Sequence, residues 1–245
     1  MIKNKNILVY GANSDLSFEL LKSLSSENNL FLVSKNREKL EETKNKLSEI
    51  KSNKIINYCA DLNDLKNCYE SIDVALKEFD HLDYIFFYQG YMNEEDFDHD
   101  EIIKTLNINA LSTLIIINHV LKKIDKLKKL KIVVISSVAG DRGKSSTLLY
   151  GSTKSFLSTY LEGLIQKYSE TNVKFYDIKP GPIKTKMTKN LKQNFLYSTP
   201  QSVSKKIYKL VQNKNSTISY IPFWWRYIMT VIKIIPDFIF HKLKL

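Results

Sequence analysis

The sequence predicts a single α/β domain built on a doubly wound parallel sheet of about seven strands, followed by an amphipathic helical tail. Short apolar runs alternate with longer segments whose apolar residues recur every three or four positions, which is typical of parallel strands covered by helices. The 245 residues, 43% of them hydrophobic, suffice for one such core. No repeat or Gly/Ser-rich linker interrupts the pattern. We therefore expect one domain over residues 1–222 and an extension over residues 223–245.

Each predicted strand is a short run rich in aliphatic and aromatic residues. The strands are expected at 6–10, 30–33, 55–60, 84–88, 131–135 and 173–178, with a last one before residue 221. Helices are expected at 15–25, 38–49, 65–79, 101–121, 150–168 and 201–212. Thr199 and Pro200 favour the start of the last of these, because Thr caps a helix and Pro fits its first turn.

A glycine turn follows the first predicted strand and leads directly into the first helix. Such a turn aims backbone N–H groups and the positive end of the helix dipole at one point, where a phosphate group can bind. The turn and the start of the helix comprise Gly11, Asn13, Ser14, Asp15 and Leu16. We expect these residues to bind the pyrophosphate of a nucleotide cofactor.

Three polar residues later in the chain indicate hydride-transfer chemistry. Ser137 follows the apolar run 131–135, and Tyr150 and Lys154 share one face of the next helix because they are four residues apart. Both positions open toward the crevice in which open α/β sheets bind ligands. There Lys154 could stabilise the Tyr150 phenolate while Tyr150 exchanges a proton with a carbonyl oxygen held by Ser137. The alternative is a Tyr and a Lys on an ordinary surface helix.

These motifs, in this order, resemble a short-chain dehydrogenase/reductase over residues 7 to about 185. In that family the catalytic Tyr follows the Ser by thirteen positions, as Tyr150 follows Ser137. The resemblance implies a Rossmann-type fold and an NAD(P)-dependent oxidoreductase that acts on CH–OH and C=O groups. It also implies that Asn109, Ser137, Tyr150 and Lys154 are the catalytic residues, with Asn107 as the nearby competitor of Asn109.

The resemblance further implies which residues bind the cofactor. Asp61 and Leu62 match the pair that lies against adenine, and Gly90 is the one residue kept from the family's Asn-Asn-Ala-Gly motif. Tyr150 and Lys154 match the residues beside the nicotinamide ribose. The loop that contacts the nicotinamide carboxamide is matched by Pro180, Gly181, Ile183 and Thr185.

The glycine turn departs from the family pattern at two positions. Asp15 and Ser17 stand where the second and third glycines usually lie. An aspartate there could crowd or repel phosphate, although its carboxylate can also cap a helix. Some bacterial members carry a similar Ser-Asp, so we interpret the turn as a subtype that still binds nucleotide. The alternative is a catalytically silent nucleotide-binding scaffold.

The end of the second predicted strand indicates which nicotinamide cofactor is used. The segment Ser34-Lys35-Asn36-Arg37 lacks the acidic residue that binds ribose hydroxyls in NAD-preferring proteins. Basic residues at this point accommodate a 2′-phosphate instead. Lys35 and Arg37 therefore favour NADP(H) over NAD(H), unless they are ordinary solvated charges.

Composition argues against other classes of protein. The net charge of +11 comes from lysines spread along the chain without a nucleic-acid-binding motif, so we expect no nucleic-acid partner. Cys59, expected in a buried strand, and Cys68 are too few for a disulfide framework, and the four histidines lack metal-ligand spacing. No signal peptide fits before the first strand. We expect a cytoplasmic protein without a metal.

The tail is apolar, aromatic and cationic, but it is not a membrane span. Arg226, Lys233 and Pro236 interrupt it, so no run approaches the ~20 apolar residues that a spanning helix needs. A first helix is expected from Trp224 and a second over residues 238–243. One apolar face is expected to be lined by Trp224, Ile228, Val231 and Ile235 and widened by Trp225, Met229 and Ile232.

Such a tail could lie in a membrane interface, pack on its own sheet or form a subunit interface. It is also similar to the tails of bacterial family members that reduce decaprenylphosphoryl keto-pentoses. That resemblance implies a lipid-linked keto sugar or another amphiphilic ketone as substrate, and contact with the inner face of the membrane through residues 223–245. Resemblance to the family as a whole implies a homo-oligomer. A peripheral membrane interaction protein with the same fold is the remaining alternative.

Overall fold

The computed structural model describes residues 2–50, 54–93, 97–125, 127–213 and 215–243. Strands and helices alternate along them, as predicted. The strands are β1 Asn6–Tyr10, β2 Asn29–Ser34, β3 Lys54–Cys59, β4 Tyr84–Phe87, β5 Leu130–Ile135, β6 Val173–Pro180 and β7 Thr217–Ile221. The α-helices are α1 Asp15–Leu24, α2 Arg37–Ser48, α3 Leu65–Phe79, α4 His99–Leu106, α5 Ser112–Lys123, α6 Leu148–Lys167, α7 Pro200–Asn213, α8 Trp225–Ile234 and α9 Asp237–Phe240.

The described strands form one parallel sheet in the order β3-β2-β1-β4-β5-β6-β7. The chain reverses its direction of winding between β1 and β4, and ligands bind outside the carboxyl ends of the strands at such a switch point. Gly11, Gly90 and Ser137 follow β1, β4 and β5, so all three lie at this edge. The predicted fold class is confirmed.

Helices cover both faces of the sheet because neighbouring residues of each buried strand point to opposite faces. On one face, Phe31, Phe87 and Phe175 pack in a core with residues of α3, α5 and α6. On the other, Phe86 and Tyr176 pack with residues of α1, α2 and α7. This double layer fixes the carboxyl ends of the central strands, which carry the candidate site.

Two details differ from the predictions. The helix expected over 101–121 is divided by a π-helical turn at Asn107–Leu111, between α4 and α5. A π turn inserts one extra residue without removing the apolar face, so a pattern of period 3.6 does not reveal it. Cys59 is exposed rather than buried, because it ends the edge strand β3, and both it and Cys68 are free thiols.

The tail packs against the domain through one side of the broad apolar face predicted for it, where Trp225, Met229 and Ile232 lie. Trp225 and Met229 are the buried residues of α8 and contact Val138, whereas Trp224 and Val231 are exposed. The contact with the domain selects this face, which the period of the helix alone could not do. The short last helix begins at Asp237 and ends at Phe240, earlier than expected. Among the described residues, no helix is long and apolar enough to cross a membrane.

Candidate active site

The Ser-Tyr pair expected from the sequence is brought together at the carboxyl end of β5. Ser137 and Tyr150 share a side-chain hydrogen bond, and the Ser137 hydroxyl also accepts a bond from the backbone N–H of Ala139 at 3.1 Å. Burial raises the pKa of Tyr150 to about 12, and the bond to Ser137 opposes that shift. Tyr150 therefore holds its proton near neutral pH, which suits a group that donates a proton to a carbonyl oxygen.

Lys154 lies one helical turn after the half-buried Tyr150 and is itself buried, with 2% of its surface exposed. Its Nζ donates a 3.0 Å hydrogen bond to the carbonyl oxygen of Ile135 and lies 5.6 Å from the centre of the Tyr150 ring. Burial lowers the pKa of Lys154 to about 8, and the carboxylate of Asp177 opposes this shift. Burial of the phenol is the largest influence on the pKa of Tyr150 in this structure.

Asn109 is held inside the π-helical turn and is buried. Its side chain accepts a 2.7 Å bond from the backbone N–H of Tyr91 and donates to the Tyr91 carbonyl at 2.7 Å and to the Thr153 hydroxyl at 3.2 Å. Thr153 in turn donates to the Tyr150 carbonyl at 2.7 Å. Asn109 thus connects the segment after β4 to the helix that bears Tyr150. The competitor Asn107 points away, toward the Asn63 carbonyl at 3.1 Å.

The glycine turn is tightly folded against the end of β4. Gly11 has φ +70°, and a Cβ on it would come within 2.5 Å of the Gln89 nitrogen, so a glycine is required. Ser14 caps α1 by accepting a bond from the Ser17 N–H at 3.1 Å, and Leu16 is buried beneath the turn. Asn13 donates to the Asn36 carbonyl at 3.2 Å, which ties the turn to the start of α2.

Asp15 does not cap its own helix; its carboxylate reaches the loop after β6. One oxygen accepts the backbone N–H of Lys186 at 2.8 Å, and the other lies 3.7 Å from the Lys186 ammonium group. The side chain that departs from the family pattern therefore has partners on the opposite side of the crevice.

The ends of β2, β3 and β4 present the remaining expected cofactor residues. Lys35 and Arg37 are exposed, and neither makes an ion pair with a described residue. Asp61 is exposed and accepts the Asn63 N–H with one oxygen at 2.9 Å, which leaves the other oxygen to accept from a ligand. Leu62 is buried beside it. At Gly90, a Cβ would meet only the end of the Met187 side chain, at 3.4 Å.

The loop after β6 begins with Pro180 and Gly181. A Cβ on Gly181 would lie 1.9 Å from Nε1 of Trp225, so the tryptophan of the tail occupies the space that any larger residue would need. Ile183 pairs with Ser198 in an isolated parallel bridge. Thr185 and Thr188 form a reciprocal cap at the following 3₁₀ turn. The expected carboxamide-binding residues thus lie in a braced segment at the mouth of the crevice.

Comparison with known proteins identifies this arrangement. The profile of the short chain dehydrogenase family matches residues 5–195. The chain belongs to the short-chain dehydrogenase family. It is 27% identical over 192 residues to an uncharacterized oxidoreductase of Staphylococcus aureus strain MW2, covering 77% of this chain and 82% of the relative.

Solved structures show the same fold. A short-chain dehydrogenase/reductase from Mycobacterium ulcerans superposes with a TM-score of 0.79 at 16% identity, over 90% of this chain and 89% of the other. A short-chain dehydrogenase from Burkholderia cenocepacia, solved in complex with NADP, superposes with a TM-score of 0.76 at 18% identity, over 89% of this chain and 96% of the other. This dehydrogenase is an NAD(P)-dependent oxidoreductase, as the sequence predicted.

The described residues of the dehydrogenase fit an NAD(P) cofactor. The N–H groups at the start of α1, Gly90, which lacks a Cβ, and Asp61, with a carboxylate oxygen left to accept from a ligand, all follow the carboxyl ends of their strands, at the edge of the sheet where the cofactor would bind. A cavity of about 510 Å³ is lined by Asn13, Ser14 and Asp15, together with residues of α2 and the loop after β6. Neither the Ser137–Tyr150 pair nor the ends of β3 and β4 line this cavity.

Sequence reasoning missed a buried network of charged residues behind the catalytic pair. Lys179 on β6 contacts the carboxylate of Asp141 at 2.6 Å, and the Tyr220 hydroxyl donates to the same carboxylate at 2.7 Å. Asp177, two residues before Lys179, accepts a bond from Ser136, and burial raises its pKa. Charged residues at alternate positions of an apolar strand were the available signal, because such residues need partners when buried.

Proposed function

We propose that this dehydrogenase reduces a ketone to a secondary alcohol, with NADPH preferred over NADH. The observation that carries the proposal is the set of the half-buried Ser137 and Tyr150 and the buried Lys154 at the carboxyl end of the central strand β5. The bound nicotinamide supplies the hydride. Tyr150 donates the proton to the carbonyl oxygen, because burial keeps its phenol protonated, and Ser137 orients that oxygen by hydrogen bonding.

Lys154 and Asn109 have supporting roles in the proposed reaction. The Lys154 ammonium, held by the Ile135 carbonyl, stabilises negative charge on Tyr150 after proton transfer and reaches the nicotinamide ribose. Asn109 organises the relay that returns a proton to the site, since its bonds to Tyr91 and Thr153 place it between the segment after β4 and α6. In this scheme the remaining cofactor contacts come from the glycine turn, the Asp61 region and the loop after β6.

The preference for NADPH is expected to depend on Lys35 and Arg37, which are exposed beside the end of β2. A titration followed by nicotinamide fluorescence should give tight binding of NADPH and much weaker binding of NADH. The double variant Lys35→Ala, Arg37→Ala should bind NADPH about tenfold or more weakly, because charged hydrogen bonds are lost, and its affinity for NADH should be unchanged.

A control variant is Lys77→Ala with Lys167→Ala, because these exposed lysines lie near the ends of α3 and α6, at the other edge of the sheet. It should bind both nucleotides as the wild type does. Equal affinities of the wild type for NADPH and NADH would contradict the preference, and binding of neither would favour a silent scaffold.

We further propose an amphiphilic ketone, such as a lipid-linked keto sugar, as substrate, and a site of action at the inner face of the cytoplasmic membrane. The support lies in the tail at residues 223–245, which we treat as an extension of the domain at 1–222. Arg142 fixes this tail on the domain by donating to carbonyl groups at the end of α8 and to Asp237 at 2.8 Å. A homo-oligomer, the common state of the family, is proposed as well.

The side of the fixed tail that faces away from the domain is apolar. Tyr227, Ile234 and Phe238 are 67%, 73% and 71% exposed, and the basic residues Arg226 and Lys233 are exposed beside them. A surface that combines exposed aromatic and aliphatic side chains with cations matches the interface of an anionic bilayer. Free thiols at both cysteines accord with the reducing cytoplasm.

Vesicle flotation tests the membrane contact. The wild-type protein should float with vesicles that contain phosphatidylglycerol and less with purely zwitterionic vesicles. Changing Tyr227, Ile234 and Phe238 to Ser should reduce the bound fraction about tenfold, because three apolar side chains no longer enter the interface.

The matched control changes three exposed apolar residues elsewhere, Tyr69→Ser, Ile103→Ser and Leu127→Ser. It should float like the wild type. If the tail variant floats as well as this control, the tail does not bind membranes.

A further inference from the structure

Asp15 joins two parts of the chain that lie on opposite sides of the crevice. It stands in the first turn of α1, and its partner Lys186 is 171 positions later, in the loop after β6. The carboxylate accepts the Lys186 backbone N–H at 2.8 Å, and the Lys186 ammonium is 3.7 Å away. A glycine, which the family usually has at this position, could make neither contact.

The segment that Asp15 holds is braced at two other points. Its beginning is paired with Ser198, since the Lys184 N–H donates to the Ser198 carbonyl at 2.9 Å and the Ser198 N–H donates to the Pro182 carbonyl at 2.9 Å. Farther along, the end of the Met187 side chain lies over Gly90. The bond to Asp15 lies between these two contacts along the chain, and it connects the segment to the start of α1 beside the glycine turn.

The surroundings of Asp15 reduce the repulsion between its carboxylate and a phosphate bound at the glycine turn. The first turn of a helix favours a carboxylate through the helix dipole. The nearby Lys186 ammonium offsets the charge only weakly, because that side chain is 80% exposed. The short bond to the backbone N–H is therefore the main contact, and it draws the carboxylate toward the loop.

We propose that Asp15 is a positioning residue that ties the glycine turn to the segment Ile183–Lys186. The proposal rests on the proposed function, in which the turn binds the pyrophosphate and the segment contacts the nicotinamide. The bond between Asp15 and Lys186 keeps the glycine turn and this segment in a fixed relative position before the nicotinamide binds. Asp15 then strengthens binding of the nicotinamide end rather than weakening binding of the phosphates.

Two ligands separate these effects, namely NADPH and 2′-phospho-ADP-ribose, which lacks the nicotinamide. In Asp15→Ala, the affinity for NADPH should fall about tenfold, as expected for one lost charged hydrogen bond, while the affinity for 2′-phospho-ADP-ribose stays within about twofold. Asp15→Asn, which keeps an acceptor for the Lys186 N–H, should restore NADPH binding. Lys186→Gln, which keeps the backbone N–H, should behave like the wild type.

Unchanged binding of both ligands to Asp15→Ala would overturn the proposal. Equal losses of affinity for both ligands would also overturn it, because Asp15 would then affect binding of the phosphates. If the wild type binds neither ligand, the proposed function fails. Trypsin cleavage of the protein without nucleotide then tests whether Asp15 holds the loop after β6. Faster cleavage after Lys184, Lys186 or Lys189 in Asp15→Ala than in Asp15→Asn would support it, and equal rates would refute it.

Discussion

Tyr150→Phe should reduce kcat for ketone reduction by about 10²- to 10⁴-fold, the usual contribution of a general acid, while NADPH binding is retained. The phenyl ring keeps the packing of Tyr150 in the first turn of α6, and only the proton donor and its bond to Ser137 are lost. Steady-state kinetics with a responsive ketone gives kcat, and fluorescence titration gives the affinity for NADPH.

The matched control is Tyr160→Phe, which makes the same change farther along the same helix. Tyr160 accepts a bond from Asn118 at 2.7 Å and lies away from Ser137, so turnover should be unaffected. If Tyr150→Phe keeps wild-type turnover, the assigned proton donor is wrong. If neither variant nor the wild type turns over any carbonyl compound while NADPH binds, the silent scaffold becomes the better description.

The second large effect is expected for Asp141→Ala, which should lower the free energy of unfolding by about 3–5 kcal/mol. The Lys179 and Asp141 side chains are only 9% and 1% exposed, so the change leaves a buried ammonium without its near partner. It also removes the acceptor of the Tyr220 hydroxyl. Thermal unfolding should show a decrease in Tm of roughly 10 °C for a chain of this size.

Two further variants define the cause of this loss. Asp237→Ala removes a carboxylate from an exposed ion pair with Arg142, in which Asp237 is 83% exposed, and should cost at most about 1 kcal/mol. The quadruple variant Asp141→Leu, Asp177→Asn, Lys179→Met and Tyr220→Phe replaces the buried charges, including that of Asp177, which lies 3.9 Å from Lys179, and should recover much of the lost stability. A wild-type Tm for Asp141→Ala would show that the network contributes little.

Local patterns sufficed to predict most strands and the grouping of the site. The strand Asn6–Tyr10 was predicted with its observed bounds, because a buried parallel strand is a continuous apolar run between turn residues. Ser137 and Tyr150 were predicted to meet because the chain order of an α/β sheet determines which loops share an edge.

What could not be predicted depends on contacts between distant parts of the chain. The Asp15–Lys186 and Asp141–Lys179 pairs join residues that no period or spacing relates. The pKa of Tyr150 depends on how completely the phenol is buried, which the sequence does not specify. The apolar face predicted for α8 includes the buried Trp225 and Met229 as well as the exposed Trp224, and its period alone does not determine which side packs, because a helix with a broad apolar face can pack in more than one rotation.

The contact between Gly181 and Trp225 has an evolutionary consequence. Because the indole occupies the place of a Cβ on Gly181, neither position can change alone without a clash or a void. A substitution of the glycine becomes acceptable only after the tryptophan has become smaller. The extension therefore cannot diverge independently of the loop after β6, and the two segments must be inherited, exchanged or redesigned together.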